Sequence, residues 1–186
     1  MSPEERRDKL IDVTLGLLRE HGRAVTTRQI AEAAGVAEGT IFRVVESKEE
    51  LVELAITRAF EPGGLAERIL EIDPGLPLRD RLLTLVSILQ QRFRAIFELM
   101  KKVGMVRPAD HVHDSPEAVA WRDRLQQLLE AVVGADGDQL RVPIGEFVHT
   151  LRLLTFAGSH PHISDGQLLT PEQIVDTVLH GLGRKS

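Results

Sequence analysis

Apolar residues recur along most of the chain at spacings of three and four, and no stretch of more than four residues alternates in the manner of a strand, so the pattern predicts helices throughout. Leu10, Val13, Leu17 and Leu18 form one stripe, which ends near His21 and Gly22, where glycine is a natural stop. Leu82, Val86, Leu89, Phe93, Ile96, Phe97, Met100 and Val103 repeat through a single long helix from Leu78 to Val103. Further helical runs cover Pro116 to Val133, Pro143 to Phe156 and Pro171 to Leu182. The starts are marked as plainly as the bodies. Ser2, Thr26, Ser47 and Thr170 are each followed three residues later by Glu or Gln, the capping-box order, and Pro3, Pro116 and Pro171 sit at first helical positions. Gly63-Gly64, Asp73-Pro74-Gly75, Arg107-Pro108, the stretch Gly134 to Gly137 and His160-Pro161 read as connectors. The expected fold class is all-α.

One stretch, Thr26 to Lys48, carries a more specific pattern. Ala31 has almost no side chain and lets two short helices touch where they cross; Gly35, four residues on, supplies the positive φ of a sharp turn. Ile30, Ala34, Val36, Ile41 and Val44 form the apolar seam of this helix-turn-helix. Ala37, Glu38, Gly39, Thr40, Phe42 and Arg43 are left facing outward, small enough overall to bring the second helix near base edges in a major groove. Thr27 and Arg28 open the first helix of the pair and Lys48 opens the helix that follows, where free amides and cations suit phosphate oxygens. Glu38 has two readings: it accepts from a cytosine amine, or it stabilises the amino end of its helix.

Composition narrows the alternatives. The 186 residues contain no Cys, seven aromatic residues and a formal charge of −5. The core therefore rests on Leu, Val, Ile and Ala, and disulfide, thiolate and cysteine-ligated metal chemistry are excluded. No cofactor motif is present. The amino-terminal residues do not read as an export signal and no apolar run is long enough to span a bilayer, so the expected setting is a reducing cytoplasm, away from membrane. Residues 1 to 50 hold eight Lys or Arg against ten Asp or Glu, so this segment is not basic as a whole. Its cations, Arg19, Arg23, Arg28, Arg43 and Lys48, nevertheless fall around the reading face, whereas Glu4, Glu5, Asp8 and Asp12 lie on the first helix.

The helix-turn-helix, its Gly39-Thr40-Ile41-Phe42-Arg43 segment and the following Ser47-Lys48-Glu49-Glu50-Leu51 resemble the DNA-binding region of TetR-type transcriptional regulators over about the first 55 residues. The resemblance implies an amino-terminal three-helix domain, 1–48, and a larger helical effector-binding and dimerisation domain, 49–186. It also implies a homodimer that binds double-stranded DNA at an inverted-repeat operator, as a repressor, and releases it when a small molecule is bound. Two departures stand out. Such regulators usually carry His or Tyr and then Phe where this chain has Val44 and Val45, and Phe42 stands where Tyr is common, without its hydroxyl.

Beyond residue 51 the chemistry is less marked. Phe93, Phe97, Met100 and Met105, with Trp121, Leu125, Phe147 and Leu151, are the candidate wall of an apolar effector cavity; Phe and Met at helical spacing serve equally well as plain core. Val148, Leu154, Ile174, Val178 and Leu182 are the candidate interface of an isologous four-helix contact. Asp110, His111, His113 and Asp114, and the pair His160 and His162, lack the spacing of a helical metal site and read as solvated loops. No P-loop, nucleophile elbow or His-Glu-x-x-His occurs, so an enzyme is not expected. A regulator with a collapsed pocket, acting without an effector, is the alternative.

Overall fold

The computed structural model describes residues 2–107 and 114–182; the loop histidines His111 and His113, with Asp110, lie outside the described residues. Nine α-helices and two short 3-10 segments make up the described chain: α1 (Pro3–His21), α2 (Thr27–Ala34), α3 (Glu38–Ile41), α4 (Lys48–Phe60), α5 (Leu65–Leu70), α6 (Leu78–Val103), α7 (Pro116–Val133), α8 (Ile144–Ser159) and α9 (Pro171–Leu182). Three of the four expected capping boxes are formed; at Ser47 the hydroxyl accepts from the Glu50 amide, but the Glu50 carboxylate accepts from the Glu46 amide instead. Ser2 accepts from the Glu5 amide at 3.1 Å while the Glu5 carboxylate accepts from the Ser2 amide at 2.6 Å. Thr26 and Gln29 exchange the same two bonds, at 3.2 and 2.9 Å, as do Thr170 and Gln173. Each box satisfies two amide groups that the first helical turn leaves without partners.

Two compact units result, one comprising the residues up to Glu61 with those from Ile96, the other Pro62–Ala95 with the residues from Asp114. The boundary expected after residue 48 falls at the start of α4, inside the first unit. In that unit Leu10 and Leu18 of α1, Ile30 of α2, Ile41 of α3 and Leu51 and Ala55 of α4 close one core, joined by Leu99 and Val103 from the end of α6. Full burial of each such Leu contributes about 1.5–3 kcal/mol. Arg58 of α4 reaches across to Asp8 and Asp12 of α1 at 2.7 and 3.0 Å.

The carboxyl ends of α1 and α6 meet within this unit. Gly22, which ends α1, has φ 59° and ψ −150°, and a Cβ there would lie 2.5 Å from the Lys102 carbonyl oxygen. The Lys102 ammonium donates to the carbonyls of Arg19 and Glu20, and Arg23 Nε donates to the Val103 carbonyl at 3.0 Å. Each helix end thus receives a cation from the other, where the unsatisfied carbonyls and the helix dipole favour positive charge.

The second unit is built around Leu82, Leu85, Val86 and Leu89 of α6, Leu129 and Val133 of α7, Phe147, Val148 and Leu151 of α8, and Ile174 and Val175 of α9. Phe93 and Phe156 meet edge to face with ring centroids 5.3 Å apart. Arg79 and Asp176 form a two-pronged ion pair at 2.8 and 3.0 Å, and Gln90 donates to the Leu169 carbonyl at 2.8 Å. The unusually apolar second half of α6 has a simple cause: its residues up to Ala95 serve one core and those from Ile96 serve the other. Helix α5, absent from the sequence expectation, buries Leu65 and Ile69 in the second core.

Candidate nucleic-acid interface

The turn between α2 and α3 is set by Gly35, with φ 67° and ψ 38°. Its amide bonds to the Glu32 carbonyl and the Val36 amide to the Ala31 carbonyl at 3.0 Å, the paired bonds of a Schellman stop. No atom lies within 4 Å of where its Cβ would be, so the glycine is required by backbone conformation alone. Ala31 and Ala34 are buried at the crossing, together with Ile30 and Ile41. The seam differs from expectation in its last members. Val45 is buried, whereas Val36 and Val44 are only half-buried.

Helix α3 is a single turn. Beyond Ile41 the chain continues in tight turns, with the Arg43 amide on the Thr40 carbonyl at 3.2 Å and Val44 on Ile41 at 2.9 Å. Gly39 within the turn and the β-branched Val44 and Val45 after it all lower helix propensity, which accounts for the short element. The outward set is largely as expected: Ala37, Glu38, Gly39, Phe42 and Arg43 are exposed, Phe42 at 53 %, and Thr40 is half-buried. Arg43 makes no side-chain hydrogen bond or ion pair among the described residues.

The flanking residues carry bonds that no sequence argument anticipated. The Thr27 hydroxyl donates to the Glu38 carboxylate, joining the first residue of α2 to the first residue of α3. Glu38 thus braces the motif, a contact that neither reading of its position from the sequence included. Arg28 pairs with Glu32 at 2.9 Å, and the bond to Glu32, then the attraction of that carboxylate, raises the guanidinium pKa above its ordinary value; Glu38 adds to the same effect. Lys48 reaches back to the Val25 carbonyl at 3.4 Å, holding the segment before α2 to the start of α4.

Residues 10–55 match the profile of the bacterial regulatory proteins of the tetR family. The match takes in α2, α3 and most of α4. Over 167 residues the chain is 30 % identical to the HTH-type transcriptional regulator YvkB of Bacillus subtilis, an alignment that covers 82 % of this chain and 86 % of YvkB. The chain belongs to the TetR family. It is a DNA-binding transcriptional regulator. It is also 38 % identical over 129 residues to the transcriptional repressor KstR of Rhodococcus jostii, covering 66 % of this chain but only 58 % of KstR. A solved transcriptional regulator from Saccharomonospora viridis, in complex with choline, shares the fold with a TM-score of 0.65 and 17 % identity, over 98 % of this chain and all of that one.

The residues expected to line an effector cavity in this TetR-family chain do not gather in one unit. Phe97, Met100 and Met105 belong to the first, and Phe93, Trp121, Leu125, Phe147 and Leu151 to the second. Phe147 and Leu151 are fully buried, and Leu125 and Met100 are buried as well. Three of the residues expected at a subunit interface are buried too. Val148, Ile174 and Val178 pack inside the second core, where α8 meets α7 and α9, and Leu154 is half-buried. The backbone of Leu182 closes α9; its side chain lies outside the described residues. On α8 the exposed apolar residues are Leu153 and Phe156, at 54 % and 40 %. Among the described residues no group of three or more metal-ligating side chains occurs, and no helix is long and apolar enough to cross a membrane.

Proposed function

We propose that the protein is a homodimeric repressor that binds an inverted-repeat operator and releases it when a small apolar or amphipathic effector is bound. The observation that carries the reading is the pair Phe42 and Arg43, exposed and unengaged at the end of a turn closed by Gly35. Arg43 reads a guanine edge and Phe42 lies on a thymine methyl or sugar, with Ala37, Gly39 and Thr40 allowing close approach. Thr27, Arg28 and Lys48 take phosphates on either side, Arg28 by leaving Glu32. Glu38 braces Thr27.

One short recognition element reads too few base pairs for specificity, so two copies, about 34–36 Å apart or a multiple of that, are needed. Leu153 and Phe156 of α8 are the apolar residues left to such a partner. Release requires that the effector bind one state better than the other. Helix α6 supports a route for it, since one continuous helix contributes to both units and its end is held to α1 through Gly22, Arg23 and Lys102. The choline held by the Saccharomonospora viridis regulator supports a small-molecule effector in the same fold. The filled packing of Phe147 and Leu151 favours the second reading, a regulator that acts without an effector.

Selection of bound duplexes from a random pool tests the proposal. An enriched inverted repeat with its half-sites one helical turn apart, lost with Arg43→Ala, is the expected result. A pool that yields a single unpaired half-site overturns the dimeric reading.

A further inference from the structure

Helices α7 and α8 pack side by side in the second unit, and contacts at the start of α8 set their register. Gln126 Nε2 donates to the Gly145 carbonyl at 3.2 Å and to the Glu130 carboxylate at 2.9 Å, and a Cβ on Gly145 would lie 3.1 Å from that carboxylate. Residues three and four apart share a helix face. One turn back along α7 and one turn on along α8, Arg122 therefore comes level with His149; a turn further, Val119 comes level with Arg152. The two arginines are neighbours across one seam.

Arg152 is half-buried, yet its guanidinium makes no hydrogen bond and no ion pair among the described residues. By contrast, the half-buried Arg58 and the buried Arg81 are each given Asp partners. Burial, then the Arg122 cation, lowers the Arg152 pKa below its ordinary value, and no carboxylate opposes them. Burial and like charge both disfavour a cation, so an anion placed here would relieve both. Nor is the guanidinium sealed in. Among the described residues the one buried side-chain polar atom without a partner is Arg81 Nε, so the unused donors of Arg152 all keep accessible surface.

The flanks select among anions. Val119 and Phe156, one turn from Arg122 and Arg152 on their own helices, are 44 % and 40 % exposed, with Phe156 at the edge of the face left to a partner subunit. A guanidinium fork pairs with a carboxylate through two parallel bonds, and exposed apolar side chains beside it favour a ligand with an apolar body over an inorganic ion. We propose that the seam between α7 and α8 binds a monocarboxylate with a small apolar body, its carboxylate on Arg152 under the added attraction of Arg122 and its body against Val119 and Phe156. Binding there is a property of the protein without DNA and stands independently of operator release.

The test titrates the full-length protein with 3-phenylpropionate and with 3-phenylpropan-1-ol, which has the same body and no charge. Binding is read by calorimetry and by the fluorescence of Trp121, the sole Trp, which adjoins Arg122 on α7. The acid should bind roughly tenfold or more tightly than the alcohol, and its advantage should shrink as salt rises. Arg152→Met keeps the apolar stem and leaves no carboxylate unpaired, so it should make the two probes equal, whereas Arg152→Lys should keep part of the preference. Arg152→Met should also melt no lower than the unaltered protein, because it relieves the repulsion from Arg122; a lower melting temperature would make Arg152 a structural residue and overturn the proposal. Equal affinity for both probes in the unaltered protein, a preference undiminished in Arg152→Met, or displacement of the acid by an equal concentration of inorganic phosphate would each overturn it as well. So would a changed oligomeric state in Arg152→Met, which would make a second copy of the chain the occupant.

Discussion

Gly22→Ala measures what the meeting of α1 and α6 contributes. At φ 59° and ψ −150° the residue sits outside even the left-handed helical region, in a conformation essentially confined to glycine, so alanine costs about 1–3 kcal/mol in backbone strain. The added Cβ would also fall 2.5 Å from a main-chain oxygen, that of Lys102, which cannot turn away as a flexible side chain can. The two helix ends must separate and give up at least one of the bonds that Lys102 and Arg23 make there, for about a further 0.5–1.5 kcal/mol. The expected total is roughly 2–4 kcal/mol. Gly35→Ala is the control: also at positive φ, but in the left-handed helical region with open space around it, it should cost only about 1–2 kcal/mol. Native-state hydrogen exchange is the suitable assay, because a chain of two units need not unfold in one step and the sole Trp, Trp121, reports on the second unit. Protection of the buried α1 amides around Thr14 and Leu18 should fall more in Gly22→Ala than in Gly35→Ala, while that of Phe147 and Leu151 changes little. A Gly22→Ala loss within about 0.5 kcal/mol of zero, or smaller than that of the control, would refute the reasoning.

Arg43→Ala should weaken operator binding by roughly 1–3 kcal/mol and relax the preference at one base pair, as read by titration against single-base variants; an unchanged curve removes Arg43 from base reading. Lys48→Ala should lower affinity equally for all duplexes and reduce the slope of log affinity against log salt by about one, and a loss confined to one operator variant contradicts a phosphate contact. Glu38→Gln removes a negative charge beside Arg28 while keeping an acceptor for Thr27, so non-specific duplex binding should tighten at low salt and the gain should vanish at high salt; a changed base preference would instead make Glu38 a reader of cytosine. The hydrogen bond from Arg79 lowers the Asp176 pKa below the ordinary 3.8, so the stability it brings is complete above that value and is lost as pH falls through the native one. The stability gap between the protein and Asp176→Asn, followed by urea unfolding, should therefore close between pH 5 and about pH 2, and a gap that persists at the acid end refutes the pairing.

Local features were legible from residue order, and features that depend on distant partners were not. The Thr26 and Thr170 boxes are formed within four residues, so their signature sufficed, and the bounds of α6, α7 and α9 follow from caps and period. Gly35 was legible for the same reason. Helix α8 runs on to Ser159 because Gly158 packs against Leu169 and the Ser159 hydroxyl bonds back to Thr155, a contact with a later segment. The two apolar faces of α8 were visible, but not that Phe147, Val148 and Leu151 are packed within the protomer while Leu153 and Phe156 stay exposed; period shows that a face is apolar and cannot show what covers it. The brace between Thr27 and Glu38 spans eleven residues and depends on the angle of a turn. The bond from Arg23 to Val103 spans 80 residues and ends on a main-chain atom, so no side-chain type at the acceptor could have announced it.

That last property shapes how the meeting of α1 and α6 will tolerate mutation. The acceptors at Arg19, Glu20 and Val103 are peptide oxygens, present whatever residue is encoded there, so a comprehensive substitution scan should find no penalty at Arg19 and Glu20 from loss of these contacts. Sensitivity will concentrate on the donors Arg23 and Lys102 and on the missing side chain of Gly22, leaving a junction that three codons can break and its other participants can drift around.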